Sequence, residues 1–534
     1  MMKQKDHRFV IKDRFFYVLC LLLLFPALLI NLGNLPLVIT TDEARRALVA
    51  LEMMFSGNYI TPTINGEFYY NKPPLYNWII AAFFRIAGNQ SELTFRLPVI
   101  ISLLLFGITI FLFVRRQFGN RDAFMHAIIF VTCGRILFYD SFLGLIDITY
   151  SWIVYMSFMF IYYYYEKGKL LSLFLVSYFL TVTGFLMKGL PSLVFQGLTL
   201  LAFFIYIKRF RILFNWRHFA GIILFFLITG VYYYVYLRHN PGSVLTVVET
   251  LFTETTRRTV VRFGIWQTLG YILIFPFGLI YHFAPWTFLV FLFFRKEPVK
   301  KALNHRFIKY GLIIFFVNII VYWTSPETRP RYLFMLIPLL FAAFYFVYKN
   351  SMNGRNPLRT TVEYLFYALI IAGFLASAAV PFMPQMQGIP GLWIKTAAVS
   401  LSMAVLVWIY YYMRERRLLI LVLSLLVLRI GFNWFVIPDR IDYLEQYKNS
   451  AVEAARVSAD MPLYLYKTTP MQDGISFYIE RERGEILRRK HSGFTSKELY
   501  LVDGRYEDIG DHRVLYKFQL EWEETPIHLV RFQD

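Results

Sequence analysis

Long apolar runs separated by short polar loops dominate the first four-fifths of this chain. Of its 534 residues, 57% are hydrophobic and only 17% are charged, and the mean hydropathy is +0.49. Many of the runs approach about 20 residues, the length that a helix needs to cross a bilayer. Such a composition is too apolar for a soluble globular protein of this size. The sequence therefore predicts a polytopic α-helical membrane protein.

Basic residues produce the net charge of +20, and their placement indicates membrane topology. They gather in short clusters that occupy every second loop, for example Arg115 with Arg116 and Lys208 with Arg209. An excess of lysine and arginine in alternate loops is typical of the cytoplasmic side of a membrane protein. A nucleic-acid-binding chain would instead concentrate these residues in one patch or stripe. We therefore expect no nucleic-acid partner.

Following these loops along the chain, we predict thirteen membrane spans. The first, about residues 15–37, follows a basic start and lacks a small-residue cleavage site, which indicates a retained helix. A long outer loop, residues 38–96, separates the first span from the second. The last span ends near Val436, so the amino terminus is expected in the cytoplasm and the carboxy terminus outside it.

The composition becomes polar from about Pro438. We predict a membrane domain at residues 1–437 and a small soluble extracytoplasmic α/β domain at residues 438–534. Within the second, residues 443–459 have a helical pattern. Short alternating runs predict strands at residues 463–466, 475–479, 498–502, 513–520 and 527–532. This domain carries no catalytic motif, which suggests a structural or acceptor-positioning role. Only Cys20 and Cys133 are present, both in apolar runs, so a disulfide framework or cysteine metal site is not expected.

Ionisable residues crowd the start of the outer loop, directly after the first apolar run. Thr40 and Glu43 have capping-box spacing, which predicts that a helix begins there. Asp42 and Arg45, three residues apart, would share one face of that helix. From spacing alone, two interpretations stay open. The pair is either a surface ion pair on an interfacial helix or a functional site at the membrane boundary.

Several motifs resemble those of a known family of membrane enzymes. They are Asp42-Glu43-Ala44-Arg45, Ser56-Gly57-Asn58, Asn65-Gly66-Glu67-Phe68-Tyr69-Tyr70-Asn71-Lys72-Pro73-Pro74-Leu75, Leu145 to Asp147, Lys188-Gly189, Pro285-Trp286-Thr287 and Arg329-Pro330-Arg331-Tyr332. In these motifs the chain resembles protein mannosyltransferase-like GT-C glycosyltransferases, most closely the bacterial lipid A aminoarabinose transferases. The resemblance implies a GT-C fold in the bacterial inner membrane, with the active site facing the periplasm. It also implies transfer of a sugar from a polyprenyl-phosphate carrier to an acceptor hydroxyl, with inversion of the anomeric carbon.

The same resemblance assigns roles to individual residues. Asp42 matches the carboxylate that orients or deprotonates the acceptor hydroxyl, chemistry that needs a positioned base. Asp147 would be a second carboxylate, positioning either the acceptor or Arg45. The departing lipid phosphate needs cations and hydrogen-bond donors, and the resemblance implies Lys72 and Arg45 with Tyr69 as a hydroxyl donor.

Three further residues match family positions, but for each of them another interpretation stays open. Lys188 would reach the phosphate, or it is an interfacial lysine that extends to water. Tyr332 would line the cavity, or it belongs to the aromatic belt at the membrane surface. Arg258 is chosen from three arginines in the outer loop where the family has a cavity arginine. Arg135 and Asp140 are expected to form a structural pair.

Two departures from the family pattern concern the metal. The aminoarabinose enzymes carry glutamate before Lys-Pro-Pro, where this chain has Asn71, and the histidine that they have near the metal is missing from the outer loop between His239 and His282. A zinc site needs three or four converging ligands, so we expect that no metal cofactor is required. Asp42 and Asp147 would still offer oxygen ligands to a weakly bound magnesium or calcium ion.

The predicted partners are a polyprenyl-phosphate-linked sugar, membrane lipids and an acceptor that is lipid A, another envelope glycolipid or a protein. Two alternatives remain open. One is a protein O-mannosyltransferase-like enzyme, and the other is a polytopic transporter or lipid flippase. Transporters usually place polar groups near the bilayer midplane in repeat-related helices. Here the charges gather at one face, and no two-half symmetry is visible in the sequence.

Overall fold

The computed structural model describes residues 2–240, 249, 253, 264–326, 328–351, 356–506 and 509–533, with side chains from residue 14 onward. It is mostly helical, as the apolar periodicity predicts. The helices are α1 (Met2–Leu29), α2 (Asp42–Ser56), α3 (Leu75–Ala87), α4 (Glu92–Phe118), α5 (Asn120–Val131), α6 (Gly134–Phe138), α7 (Ile146–Glu166), α8 (Leu170–Lys188), α9 (Pro191–Tyr206), α10 (Trp216–His239), α11 (Ile265–His282), α12 (Lys296–Asn304), α13 (Arg306–Trp323), α14 (Ile337–Asn350), α15 (Pro357–Ala379), α16 (Leu392–Tyr412), α17 (Arg417–Phe435), α18 (Ile437–Val457) and α19 (Asp473–Arg483).

Eight helices in the described part of the chain are long and apolar enough to cross a membrane. The count becomes nine if α5 and α6, which are bent by 50° at a short break, form one span. Shorter apolar helices, including α9, fall below the length criterion. A multi-pass membrane architecture is therefore clear, while the number thirteen stays a prediction.

The outer loop folds around helix α2. Thr41 is the N-cap, its side chain accepting a hydrogen bond from the Glu43 amide, and Gly57 ends the helix at a φ of +70°. Past the helix, β1 (Thr63–Ile64) and β2 (Glu67–Phe68) form a short hairpin. The buried Glu52 carboxylate holds this hairpin, because it accepts the Thr63 hydroxyl at 2.5 Å and the Asn65 amide at 2.5 Å. The chain leading to Lys72 is thereby fixed to α2.

Glu43 does not complete the predicted capping box, because its Oε1 makes tertiary contacts and its Oε2 accepts the Val38 amide at 3.2 Å. Its Oε1 lies 2.9 Å from Arg96 Nε and accepts the Gly144 amide at 2.9 Å, and both charged side chains are fully buried. Arg96 also donates to the carbonyls of Leu32 at 2.8 Å and Pro36 at 3.0 Å. A buried ion pair is tolerated only when such hydrogen bonds satisfy its remaining atoms. This pair joins α2, α4 and the end of the first apolar segment.

The carboxy-terminal domain is a five-stranded sheet with helices packed against it. Its order is β4-β3-β5-β7-β6, in which β3 pairs parallel with β4 and β5, and β7 pairs antiparallel with β5 and β6. The strands are β3 (Leu463–Tyr466), β4 (Arg488–Lys490), β5 (Leu499–Asp503), β6 (His512–Phe518) and β7 (Ile527–Phe532). The predicted small α/β domain is therefore present, and α18 connects it to the membrane domain as a continuation of α17.

One predicted strand, residues 475–479, is wrong. These residues form the middle of α19, and every side chain from Gly474 to Glu480 is buried. A short apolar run bounded by glycines fits a buried strand and a buried helix equally well by periodicity. Here the helix packs against α2 and α18, so its middle is buried and no alternation of polar residues marks it.

Candidate active site

One small cavity beside the start of α2 is lined by residues from five distant parts of the sequence. Five of the predicted site residues line it, together with Arg46, Leu145 and Ile146: Asp42, Lys72, Asp147, Lys188 and Tyr332. They come from α2, the loop after β2, the first turn of α7, the last turn of α8 and the turn before α14. The motifs that the sequence singled out therefore meet in space.

Asp42 is the most accessible carboxylate of the cavity. It occupies the first position of α2, and 41% of its side chain is exposed. Arg331 Nη2 donates to its Oδ2 at 3.0 Å, and Arg45 Nη1 lies 3.6 Å from its Oδ1. Burial acts to raise the pKa of Asp42, but Lys72 and Arg331, assisted by other nearby cations, lower it below its ordinary value. Asp42 is therefore a carboxylate at neutral pH with an open side for a ligand.

Asp147 has a different environment from Asp42. Its Oδ1 accepts from Lys188 Nζ at 2.6 Å, and its Oδ2 lies 3.0 Å from Arg331 Nε. Only 5% of this side chain is exposed. Arg331 thus bridges the two carboxylates, and Asp147 holds Arg331 and Lys188 in place. It makes no ion pair with Arg45, in contrast to one of the two roles expected for it.

Lys188 and Tyr332 are both turned into the protein. Lys188 Nζ lies 4.1 Å from the centroid of the Tyr332 ring and 5.0 Å from that of Tyr150. Both residues are largely buried, with 10% of the Lys188 side chain and 8% of Tyr332 exposed. The two alternatives, an interfacial lysine and an aromatic-belt tyrosine, do not describe these positions.

Lys72 lies in the cavity without a carboxylate partner among the described residues. Burial and the neighbouring cations Arg46 and Lys188 lower its pKa to about 7, although Asp42 and Asp147 act in the opposite direction. A negatively charged ligand would stabilise the charged form of this buried ammonium group, because the ligand supplies a counter-charge. Lys72 is thus placed to receive an anion.

The carboxy-terminal domain reaches the site through Asp473, a contact that the sequence did not predict. Arg45 Nε donates to Asp473 Oδ2 at 2.9 Å, a closer contact than the one between Arg45 and Asp42. Asp473 is fixed because the adjacent Gly474 amide donates to the Ile39 carbonyl at 3.2 Å. A side chain at Gly474 would bring its Cβ to 2.8 Å from the Ile39 Cα, so only glycine permits this approach.

Among the described residues, the predicted site residues Arg45 and Tyr69 do not line the cavity. Tyr69 is half-buried and does not line the cavity, but it lies beside Arg45. Against the effect of burial, Asp473 and then Tyr69 and Asp42 raise the pKa of Arg45. Arg258 falls outside the described residues. The expected Arg135–Asp140 pair is confirmed, with 2.6 Å between Nε and Oδ2.

Sequence reasoning did not select Arg331 and Arg46 as site residues. Arg331 was present in the Arg-Pro-Arg-Tyr motif, but its place between two carboxylates depends on Asp42, 289 residues away, and on Asp147 in another distant segment. Arg46 directly follows the Asp-Glu-Ala-Arg motif, and its position at i+4 from Asp42 could have indicated that the two share a helix face.

The donor atoms around the cavity do not fit a zinc ion. In the described ranges no group of three His, Cys, Asp or Glu side chains is placed to hold a metal. Arg331 contacts both Asp42 and Asp147, and Asn71 is exposed. A zinc ion would need to displace these contacts and would still lack nitrogen or sulfur ligands.

Chelation gives a direct test of this chemistry. Purified protein treated with a strong chelator and then dialysed should keep most of the activity that the resemblance implies, because arginine and lysine already supply positive charge in the cavity. Activity before and after treatment is measured with the metal content of both samples. Loss of activity that one equivalent of a divalent metal restores would contradict this expectation.

Comparison with known proteins agrees with this architecture. Residues 71–234 match the family described as dolichyl-phosphate-mannose-protein mannosyltransferase. An uncharacterized protein of Aquifex aeolicus is 23% identical over 388 residues, which cover 72% of this chain and 69% of that protein. The crystal structure of ArnT from Cupriavidus metallidurans bound to undecaprenyl phosphate superposes with a TM-score of 0.69, at 16% identity, covering 96% of this chain and 97% of that one. Its apo state gives 0.67 at 17% identity, covering 98% of both chains.

These matches confirm the resemblance stated from the motifs, and they confirm the fold. The chain has a helical GT-C membrane fold with a small carboxy-terminal sheet domain. The segment matched by the family includes Lys72, Asp147 and Lys188, while Asp42 and Tyr332 lie outside it.

Proposed function

We propose that this protein is a membrane glycosyltransferase that moves a sugar from a polyprenyl-phosphate carrier to an acceptor hydroxyl. The observation that carries the proposal is the single cavity in which Asp42, Lys72, Asp147, Lys188 and Tyr332 meet. An exposed carboxylate beside uncompensated cations is the combination that such a transfer requires. The fold shared with ArnT, whose crystal structure contains undecaprenyl phosphate, supports the same carrier class.

Asp42 is the proposed base. Its accessible oxygen would accept the proton of the acceptor hydroxyl as that oxygen forms a bond to the anomeric carbon of the sugar. The bond between the anomeric carbon and the phosphate oxygen breaks at the same time, and the electron pair leaves with the lipid phosphate. Attack from the side opposite the leaving group inverts the anomeric carbon.

The cations of the cavity would stabilise the departing phosphate. The departing phosphate gains negative charge as the bond breaks, and preorganised ammonium and guanidinium groups stabilise that charge more than they stabilise the ground state. Lys72 is the best placed, since no described carboxylate neutralises it. Arg45 and Arg331 flank Asp42 and keep its carboxylate oriented. Asp147 is the proposed positioning residue for Arg331 and Lys188.

The location we propose is the bacterial inner membrane with the cavity facing the periplasm. Helix α4 begins at the outer loop, close to Arg96, and the basic pair Arg115 and Arg116 lies in its last turn, at the opposite end. The positive-inside rule assigns that basic end to the cytoplasm. The carboxy-terminal domain, which contacts the outer loop through Asp473, then lies outside as well.

The acceptor we propose is lipid A or another envelope glycolipid, and a protein acceptor is the second candidate. The family matched by residues 71–234 is that of dolichyl-phosphate-mannose-protein mannosyltransferases, and this match supports a protein as the second candidate. Mass spectrometry of lipid A, other envelope glycans and glycoproteins, comparing a deletion strain with its parent, tests both. We expect one glycan class to lose a single sugar. Identical profiles in all three classes would contradict the proposed function.

Lys72 is expected to act on the donor. In Lys72→Ala the apparent affinity for a polyprenyl-phosphate sugar should fall by about 10- to 100-fold, because a charge-assisted contact to phosphate is lost. The apparent affinity for the acceptor should change much less. Lys72→Arg should recover only part of the loss, since guanidinium and ammonium groups differ in geometry and hydration. Steady-state kinetics with each substrate varied in turn measures both affinities.

Arg85→Ala is the matched control for Lys72→Ala. Arg85 is exposed in the last turn of α3, in the same outer loop, and it does not line the cavity. Equal losses of donor and acceptor affinity in Lys72→Ala, or a similar donor effect in Arg85→Ala, would argue against a phosphate contact at Lys72.

A further inference from the structure

Arg46 is a buried cation that the roles assigned so far leave unused. Only 2% of this residue is exposed, yet it forms no ion pair with any carboxylate in the part of the chain that is described. Its Nη1 donates to Asn77 Oδ1 across 3.5 Å, at the limit of a hydrogen bond, and its buried Nε has no hydrogen-bond partner. Leaving a charged group buried in this state is costly unless something else compensates it.

The carboxylates around the cavity do not pair with all of its cations. The carboxylates of the cluster are all engaged: Asp473 with Arg45, Asp147 with Lys188 and Arg331, and Asp42 with Arg331 and, more distantly, Arg45. Two cations, Arg46 and Lys72, remain without an acidic partner among the described residues. Both line the same cavity, and they repel one another, since Arg46 is among the causes that lower the pKa of Lys72.

An anion with two or more acceptor oxygens satisfies this arrangement. Phosphate oxygens accept from the planar guanidinium and from the ammonium at the same time. A carboxylate ligand would offer fewer oxygens, and a metal ion would be repelled by both groups. The chain has Asn71, not glutamate, directly before Lys72, so it lacks an acidic ligand that would attract a metal to this place.

We propose that Arg46 and Lys72 together form the subsite for the carrier phosphate, with Arg46 a phosphate-binding residue. This inference rests on the proposed function and specifies how it is carried out. Two fixed side-chain cations hold the phosphate, and Asp42, one helical turn from Arg46 on α2, faces the adjacent position where the acceptor hydroxyl would lie. The spacing of i and i+4 on one helix thereby sets the geometry between the base and the phosphate-binding group.

Binding of undecaprenyl phosphate to the full-length protein in detergent tests this subsite. We expect Arg46→Gln to lower the affinity by about 10- to 100-fold relative to wild type. Arg85→Gln, which removes a positive charge from the same outer loop at an exposed position, should leave the affinity unchanged. Undecaprenol, which lacks the phosphate, should bind wild type and Arg46→Gln equally weakly. Inorganic phosphate should compete with undecaprenyl phosphate only at high concentration, because it lacks the lipid tail.

Thermal stability separates a binding role from a structural role. Because Arg46 and Lys72 repel one another in the empty site, Arg46→Gln should keep or raise the melting temperature of the protein without ligand. The additional stabilisation by undecaprenyl phosphate should shrink, since ligand stabilisation follows affinity. A structural arginine would give the reverse: a lower melting temperature of the empty protein and an unchanged ligand effect.

The outcomes of this experiment are distinguishable. If wild type binds undecaprenol as well as undecaprenyl phosphate, phosphate recognition itself is absent and the proposed function fails. If wild type requires the phosphate but Arg46→Gln binds it with wild-type affinity, the proposed role of Arg46 is overturned and the function stands. Should Arg46→Gln not fold, Arg46→Lys replaces it. We expect a several-fold loss of affinity for Arg46→Lys, and an affinity equal to wild type would overturn the proposal.

Discussion

Asp42→Asn is expected to abolish sugar transfer while the protein remains folded. The substitution keeps the size of the side chain but removes the group that accepts the acceptor proton, and loss of a general base costs about 10²–10⁴ in rate. Asp42 is 41% exposed and buries little that the fold depends on. The transfer rate should therefore fall by orders of magnitude, while the melting temperature should change little.

The kinetics of Asp42→Asn can distinguish the proposed base from a residue that only binds. Loss of a group that acts in the transition state lowers kcat, whereas loss of uniform binding raises KM. We expect the effect mainly in kcat. The affinity for undecaprenyl phosphate should stay close to that of wild type or rise, because one negative charge near the phosphate disappears. Activity within a few-fold of wild type would assign Asp42 a purely structural role.

Glu43→Gln is expected to lower the stability of the protein, in contrast to Asp42→Asn, although Glu43 is the next residue in the chain. Its carboxylate is fully buried against Arg96, and Arg96 Nε lies 2.9 Å from Glu43 Oε1. Removing one partner of a buried ion pair leaves an uncompensated charge and costs about 3–5 kcal/mol. The variant should lose a large part of its thermal stability or fail to accumulate in the membrane. Its expression level and melting temperature in detergent measure this loss.

The partner substitution provides the control for this interpretation. In Glu43→Gln with Arg96→Met both charges are absent, so the combined loss of stability should be clearly smaller than the sum of the two single losses. Strict additivity would show that the two side chains do not act as a pair. Together, Asp42→Asn and Glu43→Gln test whether adjacent acids in one motif divide between chemistry and folding.

Local sequence patterns predicted much of the fold correctly. Capping and glycine signals predicted α2 to within two residues at its start, and alternation predicted β3 and β7 at their observed bounds. These features depend on residues close in sequence, whose hydrogen bonds and side-chain periodicity are visible in one segment. The strand expected at residues 475–479 failed because that segment is buried on several sides, which removes the polar alternation.

The site itself depended on contacts that no single segment contains. The motifs supplied Asp42, Lys72, Asp147, Lys188 and Tyr332, and the structure brings all five to one cavity. Arg331 was not selected because its role arises from two carboxylates in distant segments. Asp473 was not selected because a polar helix start in the carboxy-terminal domain gives no sign that it contacts α2 and pairs with Arg45. Pairings of this kind are properties of the folded chain.

The central claim, transfer of sugar by this protein itself, is tested most directly with purified protein in sealed liposomes and no ion gradient. Labelled undecaprenyl-phosphate sugars, among them aminoarabinose and mannose, are supplied with lipid A or an acceptor protein, and labelled acceptor is quantified by mass spectrometry. The account predicts that at least one donor and acceptor pair gives product with wild type and none with Asp42→Asn. Movement of the labelled carrier across the bilayer without any labelled acceptor, equal in both proteins, would contradict it and would favour a lipid flippase.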